Sequence, residues 1–499
     1  MKDKILFWMD TDFTQYCLSY YLQQHSDYEM FAILDVPDKP KKFFSNQKLV
    51  NFQKIWFYFD NIKKIDREPD LQYLSKFEQK YSIDLWKLSI NERILFRYNN
   101  FYKFSSKEIL LILEQECKFF ETVMDEIKPD FIIMGWPTLH HKQLFYELAK
   151  SRGIKTHVLF PTKIGTRSSI SSTIHEIDFK TESNNTQFEN ITFEELQKIF
   201  NSSNFSGRVK KTMNQLKNKK SIRIKSAISF LSTKNSNLKT HYTYYGRTKF
   251  RVLIHELNQV LRKKIRHSFI NKNFIQKPNF EKPFIYFPLH TEPEHQTLIS
   301  TPLYTNQIEF ILQIAKSMPI NFELYVKEHI AQGFRFWRTT SFYKELLEIP
   351  NVKLIHPEVI NKKIYEHCSL VITLAGSSSF EAAFFGKPSI VMGNLDYTIL
   401  PSVYKIQGAE DLSETIKKCL ETKVNPSDIL KYITMVKESS FEFDQLGFTQ
   451  KFHDFFFFEG NLVDVDITEN QMNEFLNQNK DEFCILAKEY LKKLNDRNN

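Results

Sequence analysis

Glycine is scarce, 12 of 499 residues, and no three glycines form GxGxxG, so the dinucleotide fingerprint of NAD enzymes is absent. Gly376 and Gly386-Lys387 stand too far apart for GxxxxGK(S/T), which removes the P-loop ATPases as well. The five cysteines, Cys17, Cys117, Cys368, Cys419 and Cys484, form no CxxC pair. An odd, scattered set predicts neither a disulfide framework nor a structural zinc site, and fits a reducing compartment. No apolar run reaches the ~18 residues that a membrane-spanning helix requires. The opening MKDKILFWMDTDF runs from a short apolar stretch directly into acids, unlike a secretory leader. A cytoplasmic protein is expected.

What the chain does contain is core-forming material. Hydrophobic residues make up 42% and charged residues 25% of it, and its length suits two ordinary domains plus an accessory piece, because single cores stop growing near roughly 250–300 residues. The net charge of +9 is unevenly placed: residues 207–272 hold 18 Lys/Arg against one acid, Glu256, so the remainder is net acidic. Such a segment suits an anionic partner. Tyr242, Tyr244 and Tyr245 interleave with it, but no RNA- or DNA-binding motif accompanies them, and the expected partner is the anionic membrane surface rather than nucleic acid.

ILFWMD (5–10), MFAILDV (30–36), IWFYFD (55–60), FIIMGW (131–136) and THVLFP (156–161) read as strands separated by helix-like stretches. HHKQLFYELAKSRG shows helical spacing with a glycine stop at Gly153. Continuous apolar strands alternating with helices predict a parallel sheet covered on both faces. The pattern gives way between 166 and 280 to Ser/Asn/Thr-rich and Lys-rich stretches with some helical periodicity. It resumes at FIYFPLH (284–290), FELYVKEH (322–329), VKLIH (352–356), LVITLAG (370–376) and SIVMGN (389–394). The spacing predicts an α/β protein with Rossmann-like domains at 1–165 and 281–440, a basic, partly helical insert or linker at 166–280 and a helical tail at 441–499.

In parallel α/β sheets, ligands bind beyond the carboxyl ends of the strands. Gly376-Ser377-Ser378-Ser379 follows such a strand and opens a helix-like run, where glycine admits an anion and hydroxyls donate to phosphate or cap the helix. Glu381 follows at a position that suits a ribose diol or a first-turn acid. Lys327-Glu328-His329 ends another strand; Lys327 and His329 could neutralise a leaving phosphate. The loop from Pro288 to His295 gathers His290, Glu292, Glu294 and His295 without metal-ligand spacing, and reads as a polar loop facing a cleft, with Glu292 or Glu294 toward sugar hydroxyls. In the first half, Asp10 and Asp12 follow one strand and Trp136 to His141 another. Asp10, Asp12 or His140 could serve as general base. Asp12 also suits a helix N-cap, and Asp10-Thr11-Asp12 matches a loose DxD.

With these residues in view, FPLHTEPE (287–294), VKEH (326–329), PNVKLIHP (350–357), LAGSSSFEAAFFGKPSIVMG (374–393) and Asp396-Tyr397 resemble the donor-binding half of bacterial capsular and surface-polysaccharide glycosyltransferases of the two-Rossmann GT-B type. Residues 129–156 resemble the acceptor-side half more loosely. The resemblance implies two Rossmann-like domains facing a cleft, with a nucleotide sugar as substrate, its phosphate near Ser377, Ser378, Ser379 and His329 and its ribose near Glu381. It implies a glycan or lipid-linked glycan acceptor, and the basic segment 207–272 adds the expectation of a place at the inner face of the cell membrane. CMP-sugar transferases of the Kdo and sialic acid type carry a His-Pro and a Ser-Ser motif in comparable places. Here the serines match, Ile330 follows His329, and the literal His-Pro is His356-Pro357. No cofactor is expected, nor a metal if side chains hold the phosphate. A nucleotide-sugar epimerase of the same fold and a non-catalytic assembly scaffold remain the alternatives.

Overall fold

A computed structural model describes residues 2–179, 191–202 and 220–496. The chain divides into two compact units, one of Met1–Asp178, Val209–Arg251 and Lys437–Asn499, the other of Phe179–Arg208 and Val252–Val436.

The sheet of the first unit contains β1 (Lys4–Met9), β2 (Glu29–Leu34), β3 (Phe52–Phe57), β4 (Phe131–Gly135), β5 (Lys155–Pro161) and β6 (Arg167–Ser171). A late edge strand, Phe441–Glu442, pairs antiparallel with β6, giving the order (441–442)-β6-β5-β4-β1-β2-β3. β1 to β5 are parallel, and β6 runs antiparallel to β5. Because side chains alternate along a strand, Ile5, Phe7 and Met9 enter one core while Leu6 and Trp8 enter the other. This double burial is the reason the strands read as unbroken apolar runs.

The first core is closed by Thr14–Leu22 and by three late helices, Gln445–Phe456, Glu469–Gln478 and Lys480–Asn495. The helices expected as a tail at 441–499 are therefore part of the first unit, and the Phe455–Phe458 run lies in or against its core. The second core lies under Ser106–Ile127 and His140–Ser151. The Ser105/Glu108 capping box starts the former, and Gly153, with φ +69°, stops the latter, a left-handed conformation that glycine adopts without strain. The stretch 166–280 expected as one insert is divided: it contains β6 of the first sheet, and its end, from Val252, belongs to the second unit.

The second sheet contains β7 (Phe284–Pro288), β8 (Glu323–Lys327), β9 (Val352–Ile355), β10 (Leu370–Thr373), β11 (Ser389–Val391) and β12 (Val403–Lys405). All its pairings are parallel and the order is β12-β11-β10-β7-β8-β9. Ile285 and Phe287 of β7 pack with Phe310, Ile311 and Ile314 of the Gln307–Ser317 helix, while Tyr286 on the opposite face meets Tyr365. In both sheets the chain reverses direction after its third strand. The points of reversal, between β1 and β4 and between β7 and β10, are where open α/β sheets form binding crevices.

Candidate functional site

At the reversal point of the second sheet, β7 leads into Leu289-His290-Thr291 and β10 into Leu374-Ala375-Gly376-Ser377. His290 Nε2 lies 2.9 Å from Thr373 Oγ1, and the Gly376 N–H donates to the same oxygen at 3.2 Å. A Cβ on Gly376 would stand 2.7 Å from Thr373 Oγ1 and 3.0 Å from His290 Cε1, so only glycine fits this approach. Burial, aided by His329 and Arg338, presses the His290 pKa down to about 3; the ring is neutral.

The three serines have three separate neighbours. Ser377 donates to Glu381 Oε1 at 2.8 Å, and Ser378 lies beside the Tyr365 phenol. Ser379 is fully buried, 3.1 Å from the Gly376 carbonyl and 3.0 Å from the Tyr397 hydroxyl. None caps the helix through its side chain, and that helix, Ser378–Ala383, has only six residues. A helix this short carries little macrodipole, so binding of an anion here depends on side chains. Ser377 and Ser378 are half-buried and within reach of a ligand; Ser379 instead fixes the loop to Tyr397. Glu381 is buried, and Tyr365 donates to its second oxygen at 3.0 Å. As it stands, the glutamate holds the serine loop.

Lys327 ends β8, buried, with its ammonium on Asn361 Oδ1. Desolvation lowers its pKa to about 8 against the pull of Glu381. His329 is exposed at the surface, yet the protein packed around the ring, with Lys327, Arg335 and Arg338, holds its pKa to about 4. Its Nδ1 accepts from the Ala331 N–H at 3.2 Å and lies 3.3 Å from Thr291 Oγ1. With Nδ1 an acceptor, the neutral ring carries its proton on Nε2. His356 follows the edge strand β9 and is bonded to Asn271 at 3.0 Å, so His329 is the histidine of this pair tied to the loop after β7. Glu292 forms an ion pair at 2.5 Å with the buried Arg338, which also engages Glu328 at 2.9 Å. It supports the loop after β7 and is not an open sugar contact. Glu294 accepts from the Leu298 N–H through its carbonyl at 3.1 Å and starts the short helix that follows. Arg338, Thr373 and Tyr365 gave no signal of a role in the sequence, since each acts through a partner distant along the chain; Tyr397 was marked only by the family resemblance, not by its contact with Ser379.

At the reversal point of the first sheet, Asp10 pairs with Lys142 and accepts the Asp12 N–H at 2.7 Å. Asp12 accepts from the Thr14 N–H at 3.1 Å and from Thr449 at 2.9 Å. The two carboxylates thus have separate partners and do not present a free DxD pair. Burial, then Asp10, raises the Asp12 pKa. His140 is buried between Glu92, at 3.1 Å from Nδ1, and Glu116, at 3.0 Å from Nε2. Burial alone would lower its pKa; the two carboxylates outweigh that and lift it to about 10. An imidazolium with both nitrogens occupied cannot take a proton, so the general-base role considered for His140 is not supported by its surroundings. Glu116, His140 and His141 place ligand atoms within 4.8 Å of one another, but both histidines already bind carboxylates, His141 through Asp35 at 2.9 Å.

Two Rossmann-type sheets in one chain define an α/β protein of the GT-B-like class. Residues 179–411, which contain all of β7–β12, match the family described as capsule polysaccharide biosynthesis protein. No curated protein sequence matches the chain. Similar solved structures include the UDP-GlcNAc 2-epimerase from Methanocaldococcus jannaschii, 11% identical over 87% of this chain and 99% of that one, with a TM-score of 0.24. Another is Thermosulfurimonas dismutans KpsC, a beta Kdo 2,7 transferase, 12% identical over 70% of this chain and 87% of that one, TM-score 0.29. A third is the N-terminal domain of Candida albicans trehalose-6-phosphate phosphatase, 11% identical over 91% of this chain and 96% of that one, TM-score 0.30.

Proposed function

We propose that this protein is a glycosyltransferase that moves a sugar from a nucleotide-sugar donor, CMP-linked in the first instance, to a growing capsular or lipopolysaccharide glycan at the cytoplasmic face of the membrane. The observation that carries this reading is the gathering of Lys327, His329, Ser377 and Ser378 around the β7/β10 reversal point, within the stretch that matches the capsule family.

In this reading the donor phosphate lies against the loop after β10. Transfer breaks the bond between the anomeric carbon and the phosphate oxygen and forms one to the acceptor oxygen. The Lys327 ammonium and the His329 Nε2–H meet the charge that develops on the departing phosphate. His329 is neutral in the free protein at pH 7 and acts as a hydrogen-bond donor; a phosphate beside it would raise its proton affinity. Removal of the acceptor proton calls for a general base; among the carboxylates considered for this role, Asp12 has its proton affinity raised. Side chains meet the phosphate charge, so neither metal nor cofactor is required, and activity should survive EDTA.

A thermal-shift screen against CMP, UDP, GDP and dTDP tests the site, since a ligand of the folded state alone must raise apparent stability. Stabilisation by one nucleotide that weakens in Ser378→Ala and Lys327→Met supports the proposal; no shift with any of them overturns it. Incubation of the matching nucleotide sugar without acceptor then tests the reaction. Conversion of the free donor to an isomer would replace transfer by epimerisation.

A further inference from the structure

The Lys249–Asn273 helix has its amphipathicity reversed. Its last turns are fixed to the second unit: Ile270 is fully buried, Arg266 donates to the carbonyls of Phe336 and Trp337 at 3.0 and 2.9 Å, and His267 stacks on Trp337. Over the preceding turns the half-buried residues are largely polar, with His255, Gln259 and Lys263 among them. The apolar residues point the other way. Leu253, Ile254, Leu257, Val260, Leu261 and Ile265 are exposed by between 41% at Ile254 and 65% at Ile265. At 100° per residue they cover an arc of roughly 140°, broad enough to bury a helix face, and on a soluble surface this face is unfavourably hydrated.

Charge decides what covers it. Arg251 and Arg262 run along one edge of the stripe, Lys264 interrupts it, and Glu256 is the sole acid of the helix. A second copy would bring the same cations face to face, and no row of acids is present to offset them. A bilayer with anionic headgroups satisfies both features: the stripe enters the acyl boundary while the arginines and lysines extend along their stems to the phosphates. We propose that the Leu253–Ile265 stretch lies in the plane of an anionic membrane and docks the second unit there. This assigns a helix and an insertion mode, and it does not depend on which sugar the protein transfers.

Flotation of the full-length protein with vesicles of phosphatidylcholine, alone or mixed with phosphatidylglycerol, tests the proposal. Binding is expected to the mixed vesicles and not to phosphatidylcholine alone. It should fall by about tenfold or more in Leu257→Glu/Leu261→Glu and also in Arg262→Glu/Lys264→Glu. Both variants should keep the wild-type melting temperature and nucleotide-induced shift, because these side chains are exposed and distant in sequence from the phosphate site. Failure of the wild type to float, or wild-type binding by Leu257→Glu/Leu261→Glu, overturns it. So does a dimer in solution that this variant converts to monomer, which would assign the stripe to a second copy.

Discussion

His290 and Thr373 are joined by a 2.9 Å contact that ties the ends of the two central strands of the second sheet, β7 and β10. The pair also sets the floor on which Gly376 sits, and neither neighbour can yield easily, since the imidazole is buried and Thr373 is fully enclosed. Gly376→Ala should therefore lower stability by about 1–3 kcal/mol, the usual range for an overfilled core, and should abolish the nucleotide-induced thermal shift. Urea denaturation and the nucleotide screen read the two effects separately. A variant that keeps both stability and shift would show that the loop is not held where this contact places it.

Lys327 provides a pH test. With a pKa of about 8 it is charged below that value and neutral above it. Affinity for the nucleotide should thus fall as pH rises through 8, unlike that of a site built on an arginine. Lys327→Arg should remove this dependence, because a guanidinium stays charged, and Lys327→Met should weaken binding at every pH. Isothermal titration from pH 6.5 to 9.5, about a unit and a half either side of the Lys327 value, distinguishes the three. A pH-independent wild type would show that Lys327 does not contact the phosphate.

Asp12→Asn separates chemistry from binding. The amide can still accept from the Thr14 N–H and can donate to Thr449, so the loop after β1 should keep its shape. What is lost is a carboxylate able to take a proton. The transfer rate should drop by about 10²–10⁴-fold, the usual worth of a general base, with nucleotide binding unchanged. Transfer at the wild-type rate would remove Asp12 from the chemistry.

The strands of both sheets were legible because burial on two faces writes an unbroken apolar run, as in the KILFWM of β1. The inner strand β6, RSSIS, and the edge strand β12, VYK, were not, since serine and arginine give β6 no apolar run and β12 has only three residues. The serine motif stands on the loop after β10, beside the reversal point of the second sheet. Its division of labour was hidden, because the partner of Ser379 is Tyr397, eighteen positions later. Arg338 sits in GFRFWRTT with nothing to announce that it would be buried between Glu292 and Glu328. Helical spacing in Leu253, Leu257 and Leu261 conventionally signals a buried face, and only the fold shows that this face points outward. Of the basic segment that prompted the membrane reading, residues 207–219 lie outside the described residues.

The His140 triad makes the last prediction, one of stability. Its folded pKa of about 10 lies above the ordinary value of 6.5, so the proton it holds stabilises the fold fully below pH 6.5, and this contribution is lost as pH rises through 10. Lys327 works in the opposite sense: its lowered pKa makes the fold gain stability between pH 8 and its ordinary 10.5. Wild type alone would therefore show a mixed slope, whereas the difference between wild type and His140→Gln isolates the triad. At neutral pH this variant should be destabilised by about 3–5 kcal/mol, because Glu92 and Glu116 would be left buried without their cation. That difference should shrink steadily from pH 6.5 to 10 in urea denaturation. A gap that does not change with pH would mean that His140 is neutral in the fold, and would return it to the residues able to accept a proton.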